Sequence, residues 1–150
     1  MADGSVVNMT TSPLELWHGG ARLFARHELA CRATGEGKLA GGFGGLLIEL
    51  RVAWDRPMKV LSCCRSKAHN DAPISMGGVG GHLRSLHVYD QPPHGLDGCA
   101  AIDIAVADTH AAGLLAFLAW RMGWSVGVPR GFLHLDRRDL AGLKQALFGY

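Results

Sequence analysis

The chain has 150 residues, 48% of them hydrophobic, enough for one well-packed core and too few for two ordinary domains. A formal net charge of +2 from 15 Lys and Arg against 13 Asp and Glu lacks the dense basic stripe of a nucleic-acid protein, so nucleic acid is not an expected partner. Gly or a charge interrupts every apolar run well short of the roughly 20 residues that cross a bilayer, which argues against membrane insertion.

Residues 1–12 read as a polar arm with no basic segment leading into an apolar one, so no Sec signal is expected and synthesis would leave the protein in the cytoplasm. Residues 13–32 read as one or two short helical turns carrying Leu16, Trp17, Leu23, Phe24 and Leu29, and 33–42 as a Gly-rich loop. Over 43–54, Phe43, Leu46, Leu47, Leu50 and Trp54 recur at steps that predict a helix with one buried face. Pro57 ends it, and 59–63 (KVLSC) reads as a strand. Residues 64–99 read mostly as loop, a length that in a small domain usually serves function. A strand over 100–106 follows, then a helix capped by Asp108 or Thr109 that runs to Met122, with Gly123 as its stop. Two short strands over 125–128 and 132–136 meet around Pro129-Arg130-Gly131. Residues 139–148 read as a last amphipathic helix with Leu140, Leu143 and Leu147 on one side. The sum is an α+β domain spanning 1–150, a small, mainly antiparallel sheet with helices on one face. Trp54, Trp120 and Trp124 are expected in the core, and His27 and His110 at the surface.

The four cysteines, Cys31, Cys63, Cys64 and Cys99, contain no C-x-x-C pair, so no zinc ribbon or thioredoxin-type site is expected and a reducing compartment fits best. Cys63 reads as a small buried residue. Eight histidines are more than packing calls for and ask for a chemical role.

Side chains alternate across a strand, so parity sorts them by face. In AAIDIAV, Ile102, Ile104 and Val106 form the apolar set, which leaves Asp103 pointing away from the core between small residues. In FLHLD, Leu133 and Leu135 turn inward and Phe132, His134 and Asp136 share the other face. A carboxylate and an imidazole on one sheet face are either solvated polar positions or two of the three protein ligands of a catalytic zinc. A third ligand would then come from the loop upstream, where His69, His82, His87 and His94 are available.

Several stretches in order resemble the zinc D-Ala-D-Ala carboxypeptidase family of peptidoglycan metallopeptidases, in its bacteriophage form, with the hedgehog/DD-peptidase fold. They are FARHELACR, LSCCRSKAHN, VGGHLRSLH, GCAAIDIAV and WSVGVPRGFLHLD, which carry Arg65, Ser66, His69 and Asn70; Gly80, Gly81, Ser85 and His87; Ala101 and Asp103; and Phe132, His134 and Asp136. The resemblance implies that His87, Asp103 and His134 bind Zn2+, with His82 the competitor for the loop position. It further implies that Arg65 binds a substrate carboxylate or an oxyanion and that Ser85 orients His87 or its loop. Two departures stand out. Residues 88–99 form an insertion between His87 and Asp103 that would make a flap beside the metal. Gly131 stands where many relatives place an acidic residue, so Asp136 is the expected general base, its alternative being a partner of His134 or a salt bridge to Arg137 or Arg138. Asp90 and Asp97 are weaker candidates.

The function implied is zinc-dependent hydrolysis of peptide bonds in cell-wall peptidoglycan, as carboxypeptidase or endopeptidase. A phage enzyme made in the host cytoplasm would be carried to the wall by a holin or by the virion itself. The rival expectation is a non-catalytic structural component of a virion that keeps the fold and meets other virion proteins.

Overall fold

The computed structural model describes residues 14–149; the arm expected over 1–12 lies outside the described residues. The helical turns expected over 13–32 give way to a hairpin, β1 (Leu16–His18) and β2 (Ala21–Phe24), followed by a single turn, α1 (Arg26–Leu29). The reason lies in Gly19 and Gly20, both at positive φ, which make the two-residue turn that matches strand twist. Next come α2 (Phe43–Trp54), β3 (Lys59–Ser62) and a short helix, α3 (Lys67–Asp71). This last lies inside the stretch read as loop; Ser66 caps it by accepting a hydrogen bond from the His69 backbone at 3.1 Å. Strand β4 (Ala101–Ala105) leads to α4 (Thr109–Arg121), capped by Asp108, whose carboxylate accepts from the Ala111 amide at 2.8 Å. Strands β5 (Ser125–Val128) and β6 (Phe132–Asp136) form a hairpin.

The last helix expected over 139–148 is instead a 3-10 turn, Arg138–Ala141, and a strand, β7 (Leu147–Gly149). Gly142, at φ 77°, stops the turn, and Leu143 and Leu147 are exposed, so no buried stripe existed to carry a helix.

The five-stranded sheet runs in the order β3-β4-β6-β5-β7, antiparallel except for the parallel β5·β7 edge. On one face Ile102, Ile104, Val126, Leu133 and Leu135 pack against Phe43, Leu47 and Leu50 of α2 and Leu115 and Ala119 of α4. Trp124 is fully buried with its ring edge-on to Phe43, centroids 5.6 Å apart. Trp54 is half-buried under the Arg56 guanidinium. Trp120, expected inside, is 40% exposed, because Leu115 and Ala119 define the face of α4 that meets the core. The opposite face of the sheet carries Asp103, Phe132, His134 and Asp136 into a cleft.

Residues 88–99 are stapled down along their length. Val88 bridges to Arg65, Asp90 accepts from the Lys67 amide at 2.8 Å, Asp97 accepts from the Gly41 amide at 2.9 Å, and Cys99 bridges to Leu39. Only His94 of this insertion lines the cleft. Among the described residues no helix is long and apolar enough to cross a membrane.

Candidate metal centre

Asp103 and His134 face each other directly across β4 and β6, and strand spacing places opposed side chains about 5 Å apart at Cβ. His87 arrives from the loop before β4. Its backbone amide donates to Ser85 Oγ at 3.2 Å, and its carbonyl accepts from the Arg65 amide at 2.8 Å. The three side chains converge with all ligand atoms within 4.8 Å of one another. His87 Nε2 stands 3.2 Å and His134 Nδ1 3.0 Å from the same carboxylate oxygen, Asp103 Oδ1. Bonds of about 2.0–2.1 Å to a tetrahedral zinc would set ligand atoms about 3.3 Å apart, so the observed spacing needs only small adjustment.

The far side of each ligand is anchored. His87 Nδ1–H donates to the Cys63 carbonyl at 2.6 Å, which leaves Nε2 without a proton in the neutral ring. His134 Nε2–H donates to Asp136 Oδ2 at 2.8 Å and turns Nδ1 inward. Asp103 Oδ2 accepts from Arg65 Nη2 at 3.1 Å, freeing Oδ1 for the shared point. Anchoring of this kind fixes tautomer and aim, and metal sites depend on it.

Electrostatics favour a cation at that point. Burial holds the His87 pKa below the usual imidazole range despite Asp103 nearby. Burial alone would raise the Asp103 pKa, but the imidazoles of His87 and His134 more than offset it and hold the carboxyl well below its usual range. For His134, burial opposes protonation, and the hydrogen bonds to Asp103 and Asp136 overcome it and raise the pKa. Of the two imidazoles, it is therefore His134 that joins Arg65 as a positive partner of Asp103 in the metal-free protein. His87 is neutral and points a bare nitrogen lone pair at a carboxylate oxygen 3.2 Å away, a repulsive contact that a cation between the two converts into two bonds. The donor set of two imidazoles and one carboxylate suits zinc.

Of the residues singled out from the sequence, His87, Asp103 and His134 meet. His82, His69 and His94 are not part of the cluster. His82 lines the cleft wall with Nδ1 accepting from the Arg84 amide, and His94 pairs with Arg84 Nη2 at 3.2 Å. Arg65 is fixed by Ser62 Oγ, Asn70 Oδ1 and Asp103, 13% exposed at its side chain, with its guanidinium at the cleft edge. Asp136 is fully buried, and besides His134 it accepts from the Arg138 amide at 3.1 Å, Nε at 3.0 Å and Nη2 at 2.8 Å. It lies behind the imidazole, at the nitrogen remote from Asp103, which is where an orienting partner sits and not where a base would reach the open side. Asp90 and Asp97 are held by backbone amides away from the cleft lining.

Sequence reasoning missed Phe148, whose ring centroid is 5.7 Å from that of His134 and lies under the Arg138 guanidinium. It reaches the cleft because β7 pairs Phe148 with Gly127, the residue that also faces His134. Asn70, buried and bonded to the His82 carbonyl and Arg65, is a second hidden contributor. The close approach of Gly81, where a Cβ would overlap Asn70 Oδ1, explains the glycine there. The cleft has a volume of about 680 Å³, within the range of small-ligand sites.

Comparison with known proteins adds one finding: a family model described as Peptidase M15 matches residues 24–136, a span that includes all three ligands. No curated protein and no solved structure gives a match. With three quarters of its length matched and a His/Asp/His cluster able to bind a metal at the floor of its cleft, the chain belongs to the peptidase M15 family of metallopeptidases.

Proposed function

We propose that this protein is a zinc peptidase that hydrolyses peptide bonds in bacterial cell-wall peptidoglycan. The observation that carries the reading is the convergence of His87 Nε2, Asp103 Oδ1 and His134 Nδ1, each with its other polar atom already bonded. The chemistry the ion supplies when bound is Lewis acidity toward a carbonyl oxygen and toward water. Ser85 holds the His87 loop, Arg65 aims Asp103, and Asp136 with Arg138 aims His134, so all three ligands are set before the ion arrives. Phe132, Leu143 and Phe148 offer an apolar wall, and Arg65, Arg84 and Arg138 a cationic one. That combination suits a short peptide ending in a carboxylate, the form of a peptidoglycan stem, with a guanidinium as the receiving fork.

A second reading, a virion component without catalysis, is favoured by one observation. The two cleft-lining carboxylates, Asp103 and Asp136, are both engaged with neighbours, and Gly131 supplies no third. Metal analysis together with muropeptide release from purified sacculi separates the readings. The peptidase binds one zinc and releases fragments, and His87→Ala loses both while the circular dichroism of the fold persists. Zinc bound without release overturns the catalytic reading. The bonds cut, read by mass spectrometry, assign carboxypeptidase or endopeptidase action.

A further inference from the structure

Behind the His/Asp/His centre lies a second cluster that the peptidase reading leaves unused. Cys63 and Cys64, just past β3, meet Cys99, just before β4. The Cys64 and Cys99 sulfurs are 2.9 Å apart, those of Cys63 and Cys99 3.8 Å, and all three lie within 4.8 Å of one another. Exposure is 2% or less at each. All are free thiols. Thiols are weak donors and weak acceptors, so neutral sulfurs gain little by crowding together where aliphatic groups would pack as well.

We propose that Cys63, Cys64 and Cys99 form a three-sulfur site for a soft, thiophilic cation of the Cu(I) class, separate from the zinc site and back to back with it. Sulfur ligands select soft ions. Metal–sulfur bonds of about 2.3 Å place their sulfurs about 3.8–4.0 Å apart, which the Cys63–Cys99 pair meets and the Cys64–Cys99 pair reaches by opening about 1 Å. A structural zinc site needs a fourth ligand. Beside this cluster the Lys38 carbonyl lies 3.8 Å from Cys64 Sγ, a hard oxygen. On that side Gly37 closes over Cys64 so tightly that a Cβ would stand 2.8 Å from its sulfur. Three-coordination in a dry pocket is what a monovalent soft ion accepts and zinc does not. Each thiol that becomes a thiolate ligand releases its proton to solvent. The two sites share a residue, since the carbonyl of Cys63 holds His87 Nδ1.

The test is an anaerobic titration of the full-length, zinc-loaded protein with Cu(I) against a chromogenic Cu(I) chelator, with X-ray absorption at the copper edge. The expected result is one copper retained per chain with three sulfur neighbours, lost in Cys99→Ser and retained in His87→Ala, which loses the zinc alone. No copper held against the chelator by the wild type overturns the proposal. So does copper with nitrogen or oxygen neighbours, or copper retained by Cys99→Ser and lost with His87→Ala. Should Cys99→Ser fail to fold, the copper-edge spectrum of the wild type decides by itself. Because the zinc of the peptidase site is read separately, failure of that reading and failure of this one give different results.

Discussion

Replacing Asp136 by Asn keeps the shape of the side chain and removes its charge. The carboxylate accepts four hydrogen bonds, from His134 Nε2 and Arg138 Nη2 at Oδ2 and from the Arg138 amide and Nε at Oδ1. An amide has one acceptor oxygen, so in either orientation its NH2 confronts donors. If the NH2 faces His134, the imidazole is pushed toward the wrong tautomer or tilted; if it faces the other way, Arg138 is left with its backbone amide and guanidinium opposed. Loss of such an anchoring partner costs about 10- to 100-fold in metal affinity, equivalent to about 1.4–2.8 kcal/mol. The buried, unmatched donors cost the metal-free fold about 1–3 kcal/mol. Zinc affinity is measured by chelator competition at neutral pH, and stability by denaturant unfolding of the stripped protein. If zinc affinity is unchanged while turnover collapses, Asp136 handles a proton of the reaction itself and its assignment as the partner of His134 is wrong.

Three further outcomes are expected. His134, with its pKa raised in the folded protein, stabilises the metal-free form fully below the ordinary imidazole pKa and loses that contribution as pH rises through the folded value; Asp103, with its pKa depressed, contributes above the ordinary carboxylate pKa and loses it as pH falls. Zinc competes with the His134 proton, so the zinc-induced rise in thermal midpoint grows between about pH 5.5 and 8, and a shift independent of pH there refutes the role of His134. Gly81→Ala drives a methyl into Asn70 Oδ1, loosens Arg65 from Asp103 and weakens zinc binding, an effect that Asn70→Ala in the same chain relieves in part; additive losses in the double variant count against the clash. Trp124→Ala costs about 3–5 kcal/mol in denaturant unfolding, because the ring is fully buried against Phe43; a cost below about 1 kcal/mol would mean the core collapses around the gap.

What could be read from the residues follows from which forces act locally. Strand parity depends on backbone pleating alone, so alternation in AAIDIAV and FLHLD was enough to set Asp103 and His134 on the face opposite Ile102 and Leu135. Caps at Asp108 and stops at Gly123 are equally local. The errors came where a pattern was compatible with two structures. Leu140, Leu143 and Leu147 have helical spacing, yet the partner that decided the matter was the open edge of β5, far away in sequence. The hairpin at Leu16–Phe24 was signalled by the adjacent Gly19 and Gly20, a cue outweighed by the apolar content around it. Trp120 shares a helix with buried residues but not their face, a distinction that spacing could have made. The role of Asp136 and the meeting of Cys99 with Cys63 and Cys64 depend on tertiary geometry, which no spacing rule contains.

The alternation that buries Leu133 and Leu135 also keeps the peptidase ligands aligned. Sliding β6 along β4 by a single position would turn His134 into the oily interior and bring a leucine to the cleft floor, so the protein cannot lose its aim without exposing its core. Any substitution that makes the inward side chains of β6 less greasy, however distant from the ion, should first appear as a fault in metal retention.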